Sequence, residues 1–366
     1  MKAIALRKNS TAVELIDISK PDLKREEVLV KIIRCGLCGT DREIIRRGIP
    51  DVPDGEDFLI LGHECLGRVV DVGSQLRTDL KIGDLVTVLV RRGCGQCNAC
   101  DTGHVDYCYT GKYQERGIHK IHGFLTEYII DKPQYLVPIP TDLVDLGVLA
   151  EPMSVSAKAY EAAARLMGRV CFEDACSFRG RQEKALVAGH GPIGMLAAML
   201  FVVEGYDVSV LGRRQLGDFQ RTFVESFGAR YLDLTKDEDR NFARQEGGFF
   251  LIIEAAGIAE LTFRLPELLS RNGILVLTGV PRGPQEICLD GNTIMANLVR
   301  FNQTVTGTVN ASRNNFEMGL RYLATFKEKF PKVIAGVITG RYTLDNWQAA
   351  FDQKDKNEIK AVMEFE

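Results

Sequence analysis

The chain has 366 residues, with 46 Lys and Arg against 49 Asp and Glu, so its formal net charge at pH 7 is −3. With 26% charged and 45% hydrophobic residues, the composition is typical of a globular protein, and it excludes a strongly basic nucleic-acid binder and a disordered acidic chain. At roughly 100–200 residues per domain, we expect two domains. The unusual count is that of cysteine, with 10 residues, several of them clustered.

The N-terminus predicts no targeting segment, because residues 1–16 lack a long apolar stretch followed by a small-residue cleavage site. No run of about 18 or more apolar residues predicts a transmembrane helix. We therefore expect a cytoplasmic protein without membrane or nucleic-acid partners. In a reducing compartment, clustered cysteines are more often metal ligands than disulfide partners.

The first part of the chain predicts a β-rich domain. Runs of β-branched residues separated by Gly, Asp and Pro are expected to form strands at 28–33, 67–72, 85–90 and 125–130. A helical pattern begins near Glu151 and continues through 158–167, where several alanines favour a helix.

The second part alternates between the two kinds of pattern. Strands are expected at 184–188, 207–211, 249–255 and 273–280, and helices at 192–204, 219–227 and 261–270. Such alternation predicts a parallel sheet with crossover helices. A mixed tail with a helix at 316–326 is expected to return to the first domain. The predicted fold class is therefore α/β, with a β-rich domain at 1–180, completed by 311–366, and an α/β domain at 181–310.

One cysteine cluster has the spacing C-x2-C-x2-C-x7-C and consists of Cys94, Cys97, Cys100 and Cys108. Four thiolates can complete a tetrahedral shell around Zn²⁺, and that shell leaves no open coordination position. Glycines within the segment supply backbone freedom. The spacing predicts a structural zinc. An iron–sulfur cluster, whose ferredoxin spacing is similar, and four free cysteines are the alternatives.

A second group of potential ligands lies nearer the N-terminus. Cys38 occurs in RCGLCGTD, and His63 and Glu64 occur in LILGHECLG. A thiolate, an imidazole and a carboxylate can form an open catalytic zinc site. The alternative is that the cysteine and the histidine are incidental buried residues. Cys35 and Cys65 lie close enough to compete as ligands, but their positions at strand ends predict that they belong to the core.

A glycine pattern, G-x-G-x-x-G, is formed by Gly189, Gly191 and Gly194. It follows a predicted strand and opens a predicted helix, which is the context that dinucleotide binding requires. The first glycine allows a tight turn, the second lets the backbone approach the pyrophosphate, and the third lets helix and strand pack closely. An ordinary glycine-rich turn is the alternative.

The next predicted strand ends without the carboxylate that usually holds the ribose of NAD. Instead, Arg213 and Arg214 follow Leu211 and Gly212. Guanidinium groups suit a 2′-phosphate, so NADP is expected to bind well, and NAD is expected to be accepted as well. The alternative is a pair of solvated charges.

In this order, the segments GLCGTD and LGHE, the four cysteines and the glycine pattern resemble the zinc-dependent medium-chain dehydrogenase/reductase family. Within it, FLILGHE, RRGCGQC, GIHKIHGF, YLVPIP, LAEP, GPIG, GRR and EIK are similar to the archaeal-type glucose (aldose) 1-dehydrogenases. The resemblance covers nearly the whole chain. It implies a GroES-like catalytic domain, a doubly wound Rossmann domain, an active site in the cleft between them, and a homodimer or homotetramer.

The resemblance also implies roles for individual residues. Cys38, His63 and Glu64 match catalytic zinc ligands, and Glu151 matches a ligand that enters and leaves the shell as substrate binds. Thr40 matches a hydroxyl that contacts the reacting oxygen and relays its proton.

Sugar and cofactor contacts follow from the same resemblance. The implied substrate-binding residues are Thr40, Glu115, Glu151 and Asn310. The implied cofactor-binding residues are Gly189, His190, Gly191, Pro192, Ile193, Gly194, Gly212, Arg213, Arg214, Thr278, Gly279, Val280, Thr308, Val309 and Asn310. The remaining cysteines, Cys35, Cys65, Cys171, Cys176 and Cys288, are expected to be ordinary apolar residues.

The implied reaction is oxidation of glucose or a related aldose at C1 to a lactone, with hydride transfer to NAD(P)⁺. Val90 and Val155 depart from the glucose enzymes, in which an Asn and an Asp are typical there. Because buried sugar hydroxyls need polar partners, another aldose, a polyol of sorbitol type or another secondary alcohol is the alternative substrate. A non-enzymatic protein that binds zinc and nucleotide is a second alternative, against which the complete ligand set argues.

Overall fold

The structure is a computed structural model that describes residues 1–170, 183–212, 218–233, 236, 239, 247–281, 283–352 and 357–366. The chain forms two compact units: Met1–Ser154 with Asn310–Glu366 is unit 1, and Val155–Val309 is unit 2. The domain limit expected at residue 180 lies outside the described residues. Within the described ranges, no helix has the length and apolar character needed to cross a membrane.

Unit 1 is built from three sheets. Its strands are β1 (Lys2–Arg7), β2 (Val13–Asp17), β3 (Val28–Leu37), β4 (Phe58–Ile60), β5 (Glu64–Val72), β6 (Leu85–Val88), β7 (Arg91–Arg92), β8 (Gln114–Arg116), β9 (Lys120–Ile121), β10 (Tyr128–Asp131), β11 (Leu136–Ile139), β18 (Ile338–Thr343) and β19 (Lys360–Glu364). The largest sheet has the order β11-β6-β5-β3-β19-β18, with β10 also paired to β3. Two smaller sheets have the orders β2-β1-β4 and β7-β8-β9.

Strand β3 organises the core of unit 1. Its run of Val, Leu and Ile residues suits a strand that is covered on both faces, and Val28, Val30 and Ile32 are fully buried. Large side chains such as Phe124 and Leu59 pack in the same core. Burying each such side chain contributes about 1.5–3 kcal/mol. The register between β3 and β5 shifts twice, which re-aims the side chains at the end of β3.

Unit 2 contains one parallel sheet. Its strands are β12 (Lys184–Ala188), β13 (Asp207–Gly212), β14 (Arg230–Asp233), β15 (Phe249–Glu254), β16 (Leu269–Leu277) and β17 (Thr304–Gly307). They lie in the order β14-β13-β12-β15-β16-β17, and each neighbouring pair is parallel. With the strands numbered within the unit, this is the order 3-2-1-4-5-6 of a doubly wound dinucleotide-binding fold. The predicted α/β class is confirmed.

Helices occur in both units. They are α1 (Gly39–Arg47), α2 (Asn98–Asp101), α3 (Ala150–Met167), α4 (Pro192–Val203), α5 (Asp218–Glu225), α6 (Ala259–Thr262), α7 (Gly291–Arg300), α8 (Arg313–Lys329) and α9 (Pro331–Ala335). Short 3-10 turns lie at Val105–Tyr107, Pro133–Tyr135, Thr141–Leu143, Gly147–Leu149, Gly168–Val170, Leu265–Leu268 and Trp347–Ala350. The change from unit 1 to unit 2 falls inside α3.

One predicted element is wrong. Residues 261–270 were expected to form a helix, but α6 ends at Thr262, a 3-10 turn follows, and β16 already begins at Leu269. Pro266 explains the break, because a proline inside a helix removes a hydrogen bond and its ring clashes with the preceding turn.

Candidate metal and nucleotide sites

The open metal group lies where β3 and β5 run side by side. Cys38 directly follows β3 and caps the N-terminus of α1, and Glu64 begins β5 directly after His63. The antiparallel register places Gly36 opposite Glu64, so the end of β3 lies beside the start of β5. One ligand atom from each of Cys38, His63 and Glu64 lies within 4.8 Å of the others. This donor set fits Zn²⁺ with at least one position left open.

Asp41 supports this group from the first turn of α1, and it is buried. Its Oδ2 accepts a hydrogen bond from the backbone N–H of Cys38 at 2.8 Å, and its Oδ1 accepts one from Gly62 at 3.1 Å. Oδ1 also lies 3.5 Å from His63 Nδ1. Burial opposes a charge on the imidazole, but Asp41 and Cys38 outweigh it and raise the pKa of His63 well above its usual range. Asp41 therefore places a negative charge behind His63, as metal-binding histidines commonly have.

Thr40 lies beside the ligands, with its Oγ1 3.8 Å from Cys38 Sγ. Glu151 is in the first turn of α3 and is 9% exposed. Burial, together with the charge of Glu64, raises the pKa of Glu151 to about 7. The charges of Glu64 and His63 both act on the Glu151 carboxyl group, so it lies near them. A carboxylate that enters and leaves the shell of the same metal must lie there.

Lys360 was not among the predicted site residues, although it occurs in the EIK segment. It is 1% exposed, its ammonium group contacts the Glu64 carboxylate closely, and it donates a hydrogen bond to the carbonyl of Leu37 at 2.9 Å. On the other side, a Cβ at Gly36 would lie 2.2 Å from Glu64 Oε2, so only glycine fits there. Glu64 is therefore held between a buried cation and a bare stretch of backbone.

The four-cysteine segment forms a second group, which we call the cysteine lobe (residues 93–110). Ligand atoms of Cys94, Cys97, Cys100 and Cys108 all lie within 4.8 Å of one another. A Cβ at Gly93 would lie 2.4 Å from Cys100 Sγ, and Gly95 and Gly103 have φ of +65° and +79°. Four sulfurs at this separation fit a tetrahedral, closed zinc shell.

The thiols of the lobe differ in their acidity. Burial raises the pKa of Cys100 to about 12. For Cys108, burial acts in the same direction, but the Thr110 hydroxyl 3.4 Å from its Sγ, together with backbone donors, lowers the pKa to about 6. Cys108 is thus prepared to act as a thiolate, the form that binds metal.

The other cysteines divide into two groups. Cys35 and Cys65 are buried in the core, as predicted. Cys288 is exposed and does not belong to the core. It lies in an irregular segment before α7. Cys171 and Cys176 lie outside the described residues.

The glycine pattern occupies the turn from β12 into α4. Gly189 has φ of +127°, and a Cβ there would lie 2.9 Å from the backbone of Ala255. A Cβ at Gly194 would lie 2.1 Å from the carbonyl oxygen of Gly189, so helix and strand approach closely. Among the described residues, no atom lies within 4 Å of a Cβ at Gly191, which leaves this part of the backbone open to a ligand. This arrangement fits a pyrophosphate at the N-terminus of α4.

The neighbouring predicted contacts lie at the same end of the sheet. His190, Pro192 and Ile193 complete the turn into α4. Gly212 ends β13, where a Cβ would lie 1.8 Å from the hydroxyl of Tyr231. Arg213 and Arg214 lie outside the described residues.

Two further segments follow parallel strands. Thr278, Gly279 and Val280 come after β16, and Thr308 and Val309 come after β17. The Thr278 hydroxyl and backbone N–H both donate to the carbonyl of Glu254, the last residue of β15. Ligands of doubly wound sheets bind outside the carboxyl ends of the strands, which is where these segments lie.

The predicted sugar contacts Glu115 and Asn310 are brought together in unit 1. Asn310 donates from Nδ2 to Glu115 Oε1, which also accepts two hydrogen bonds from Arg91. Val90, one of the two apolar departures, is 2% exposed, and Val155 is half-buried. Arg91 carried no predicted role, although it lies within the RRGCGQC segment.

A chain with a doubly wound nucleotide fold, an open thiolate–imidazole–carboxylate group and a four-cysteine lobe has the architecture of a zinc-dependent dehydrogenase. Comparison with protein families agrees. Residues 24–141 match the alcohol dehydrogenase GroES-like domain, and residues 144–365 match the glucose dehydrogenase C-terminus. The chain belongs to the glucose dehydrogenase family of zinc-dependent medium-chain dehydrogenases.

Individual relatives match over the full length. A glucose 1-dehydrogenase of Methanocella arvoryzae is 35% identical over 100% of this chain and 99% of its own. Glucose 1-dehydrogenase 1 of Vulcanisaeta moutnovskia is 36% identical with the same coverage. Glucose dehydrogenase of Haloferax mediterranei, solved in complex with NADP, Zn and gluconolactone, has a TM-score of 0.88 at 32% identity and covers 100% of this chain and 99% of its own.

Proposed function

We propose that this protein oxidises glucose or a related aldose at C1 to the lactone and transfers the hydride to NADP⁺, with NAD⁺ also accepted. The observation that carries the proposal is the open ligand group of Cys38, His63 and Glu64 in a chain that aligns with glucose 1-dehydrogenases from end to end. The substrate is thus a small molecule.

The proposed catalytic residues all belong to unit 1, and each has a different role. Cys38, His63 and Glu64 hold the zinc, and Glu151 exchanges with substrate as a further ligand. When bound, the zinc polarises a coordinated hydroxyl and lowers its pKa. Thr40 accepts the proton of the sugar hydroxyl and passes it on towards solvent. Asp41 and Lys360 hold His63 and Glu64 in place through the contacts described above.

The other predicted residues bind rather than react. The cysteine lobe holds a second, structural zinc through Cys94, Cys97, Cys100 and Cys108. Gly189 to Gly194 cradle the pyrophosphate. The remaining cofactor contacts are Gly212 with Arg213 and Arg214, Thr278 to Val280, and Thr308 to Asn310. Glu115 and Asn310 contact sugar hydroxyls. In this proposal residues 1–180 with 311–366 form the catalytic domain, and residues 181–310 bind the nucleotide.

A polyol or another secondary alcohol is the second candidate substrate, and one observation favours it. Val90 is buried and apolar where the glucose enzymes typically have an asparagine, so one sugar hydroxyl has lost a partner. A site that lacks such a partner discriminates less against substrates without that hydroxyl.

The experiment is an activity panel of aldoses and polyols with NADP⁺ and NAD⁺, run on the wild type, Cys38→Ser and Cys288→Ser. We expect turnover of an aldose that is lost in Cys38→Ser and kept in Cys288→Ser, because Cys288 is exposed and distant in sequence from every predicted ligand. Turnover of polyols alone would favour the second candidate. Equal activity of the wild type and the Cys38→Ser variant would contradict the proposed zinc site.

We also propose a homodimer or homotetramer and a cytoplasmic location. The support for assembly is the exposure of apolar side chains on unit 2: Met295 and Val299 of α7 are 63% and 73% exposed, and Val305 of β17, the last strand in the sheet order, is 41% exposed. Exposed apolar side chains favour association, and so does a strand at the edge of a sheet. Light scattering of the wild type and Val299→Lys tests it, because the charged variant is expected to dissociate.

A further inference from the structure

Arg91 connects the predicted sugar contacts to the cysteine lobe. It begins β7, and the antiparallel register places it opposite Glu115 of β8. Its Nε and Nη2 donate to Glu115 Oε1 at 3.0 and 2.9 Å, and its Nη1 donates to the carbonyl oxygen of Asp106 at 2.8 Å. The residue is 5% exposed, so these bonds are largely shielded from water.

The two oxygens of the Glu115 carboxylate have different surroundings. Oε1 accepts from Arg91 twice and from the side chain of Asn310. Among the described residues, no side-chain donor reaches Oε2 within hydrogen-bond distance. A carboxylate can accept on both oxygens. The arrangement therefore fixes one oxygen and leaves the other as an acceptor for a hydroxyl.

The guanidinium itself is fixed on several sides. Asp106, its second acceptor, lies in the 3-10 turn that precedes Cys108 of the lobe. The ring of Tyr113 lies 4.1 Å from the Arg91 Cζ, a stacking distance. Asn310 has φ of +60°, a left-handed conformation that asparagine adopts more readily than most residues. The backbone takes this conformation at the residue whose side-chain amide donates to Glu115.

We propose that Arg91 is a positioning residue for sugar recognition: it holds Glu115 Oε1 so that Oε2 faces the substrate, and it fixes this orientation relative to the cysteine lobe. The proposal rests on the proposed function, because it takes Glu115 to be a sugar contact. Arg91 does not touch the reacting atoms, so its loss weakens sugar binding rather than the chemical step.

The test is Arg91→Lys, measured by steady-state kinetics with glucose and NADP⁺. Lysine keeps the positive charge but not the planar fork that reaches Glu115 and Asp106 together. We expect the KM for glucose to rise about 10-fold, while kcat and the KM for NADP⁺ change less than about twofold. If Arg91→Lys does not fold, Arg91→Gln is measured instead, because glutamine buries no charge. The same rise in the KM for glucose is expected.

The matched control is Arg92→Lys. Arg92 is the next residue, is 7% exposed, forms an ion pair with Asp131 and stacks over Tyr135 at 4.0 Å, but does not contact Glu115. Arg116 also pairs with Asp131, at 2.8 Å. The control is expected to lower the melting temperature and leave the KM for glucose unchanged, which separates positioning from general loss of stability.

A double-mutant cycle with Glu115→Gln identifies the route of the effect. If Arg91 acts through Glu115, Arg91→Lys raises the KM for glucose no further in the Glu115→Gln background. Additive effects, or a KM for glucose unchanged by Arg91→Lys in an active enzyme, overturn the assignment of Arg91 alone. If glucose is not turned over, the cycle is run on the sugar that the panel identifies. Absence of turnover with every sugar overturns the proposed function and this inference with it.

Discussion

The nucleotide site can be tested by adding one methyl group, as alanine, at Gly191 or at Gly194. The change at Gly191 is expected to weaken NADP binding, and the change at Gly194 is expected to destabilise the fold. Gly191 has φ of −76° and ψ of −178°, which alanine also adopts, and its Cβ would meet no atom of the described residues within 4 Å. Gly194→Ala would place its Cβ 2.1 Å from a backbone oxygen. Because Gly191 is the N-cap of α4, where alanine is less favourable than glycine, we expect Gly191→Ala to lower the free energy of unfolding by about 1 kcal/mol or less. Gly194→Ala is expected to lower it by about 1–3 kcal/mol.

The effect on the cofactor is expected to be large at Gly191. A methyl group where the pyrophosphate approaches the backbone costs about 2 kcal/mol, which weakens NADP about 30-fold. At 100 times the wild-type Kd, NADP raises the free energy of unfolding by about 2.7 kcal/mol, and at the weakened affinity the same concentration raises it by about 0.9 kcal/mol. Gly191→Ala should thus lose about two thirds of the stabilisation by NADP.

The assay is urea unfolding of each variant with and without NADP at that fixed concentration. Gly168→Ala is the control, because a Cβ there also meets no atom within 4 Å in the part of the chain that the structure describes, and the residue lies outside the glycine pattern. It is expected to keep both the stability and the NADP effect. If Gly191→Ala retains the full stabilisation by NADP, the pyrophosphate does not lie over this glycine and the reasoning is wrong.

Three other changes test the metal groups and the charge network. Cys100→Ser is expected to lower the zinc content from about two to about one per chain, measured by atomic emission, and an unchanged content would contradict the lobe site. Lys360→Met is expected to lower the free energy of urea unfolding by about 3–5 kcal/mol, because the carboxylate of Glu64 loses its buried partner. The same change at Lys2, whose ion pair is exposed, should cost about 1 kcal/mol or less, and equal losses would refute the role of burial. Burial alone would raise the pKa of Asp131, but Arg116 and Arg92 hold that pKa below its usual range. The stabilising contribution of Asp131 is therefore complete above the unfolded-state pKa of about 3.9, and it is lost as the pH falls through the folded-state pKa. Asp131→Asn should therefore flatten the loss of stability below about pH 4 in acid titrations.

The parallel sheet could be predicted because its signals are local. Strands β12, β13, β15 and β16 contain short apolar runs, and the strand–glycine–helix sequence around Gly189 has few other structural solutions. The two outer strands, β14 (RYLD) and β17 (TVTG), contain no such run and were not predicted. The predicted helix at 261–270 failed because the apolar pattern there suits either structure, and Pro266 with the pairing of Leu269 to Phe249 decided between them. Strand pairing is a tertiary effect that a single segment does not contain.

The sequence predicted that Cys38, His63 and Glu64 lie together, but it did not predict the residues that support them. Cys38 and Asp41 belong to one short motif, so their contact follows from the sequence of α1. Lys360 reaches Leu37 across 323 residues, and only the register between β19 and β3 places it beside Glu64. Arg91 likewise depends on its register with Glu115 in a two-residue strand, for which no periodic pattern exists.

The position of β19 between β3 and β18 also sets an order of events during synthesis. β3 and Cys38 leave the ribosome early, but the strand that covers β3 and carries Lys360 is made only after the whole of unit 2. Because domains tend to fold as they emerge, unit 2, a continuous segment, can form its sheet while the end of β3 that pairs with β19 is still unpaired. The carboxylate of Glu64 thus acquires its cation at the end of translation. The nucleotide fold can therefore form while Glu64 still lacks its buried cation, although the chain has already supplied Cys38 and His63.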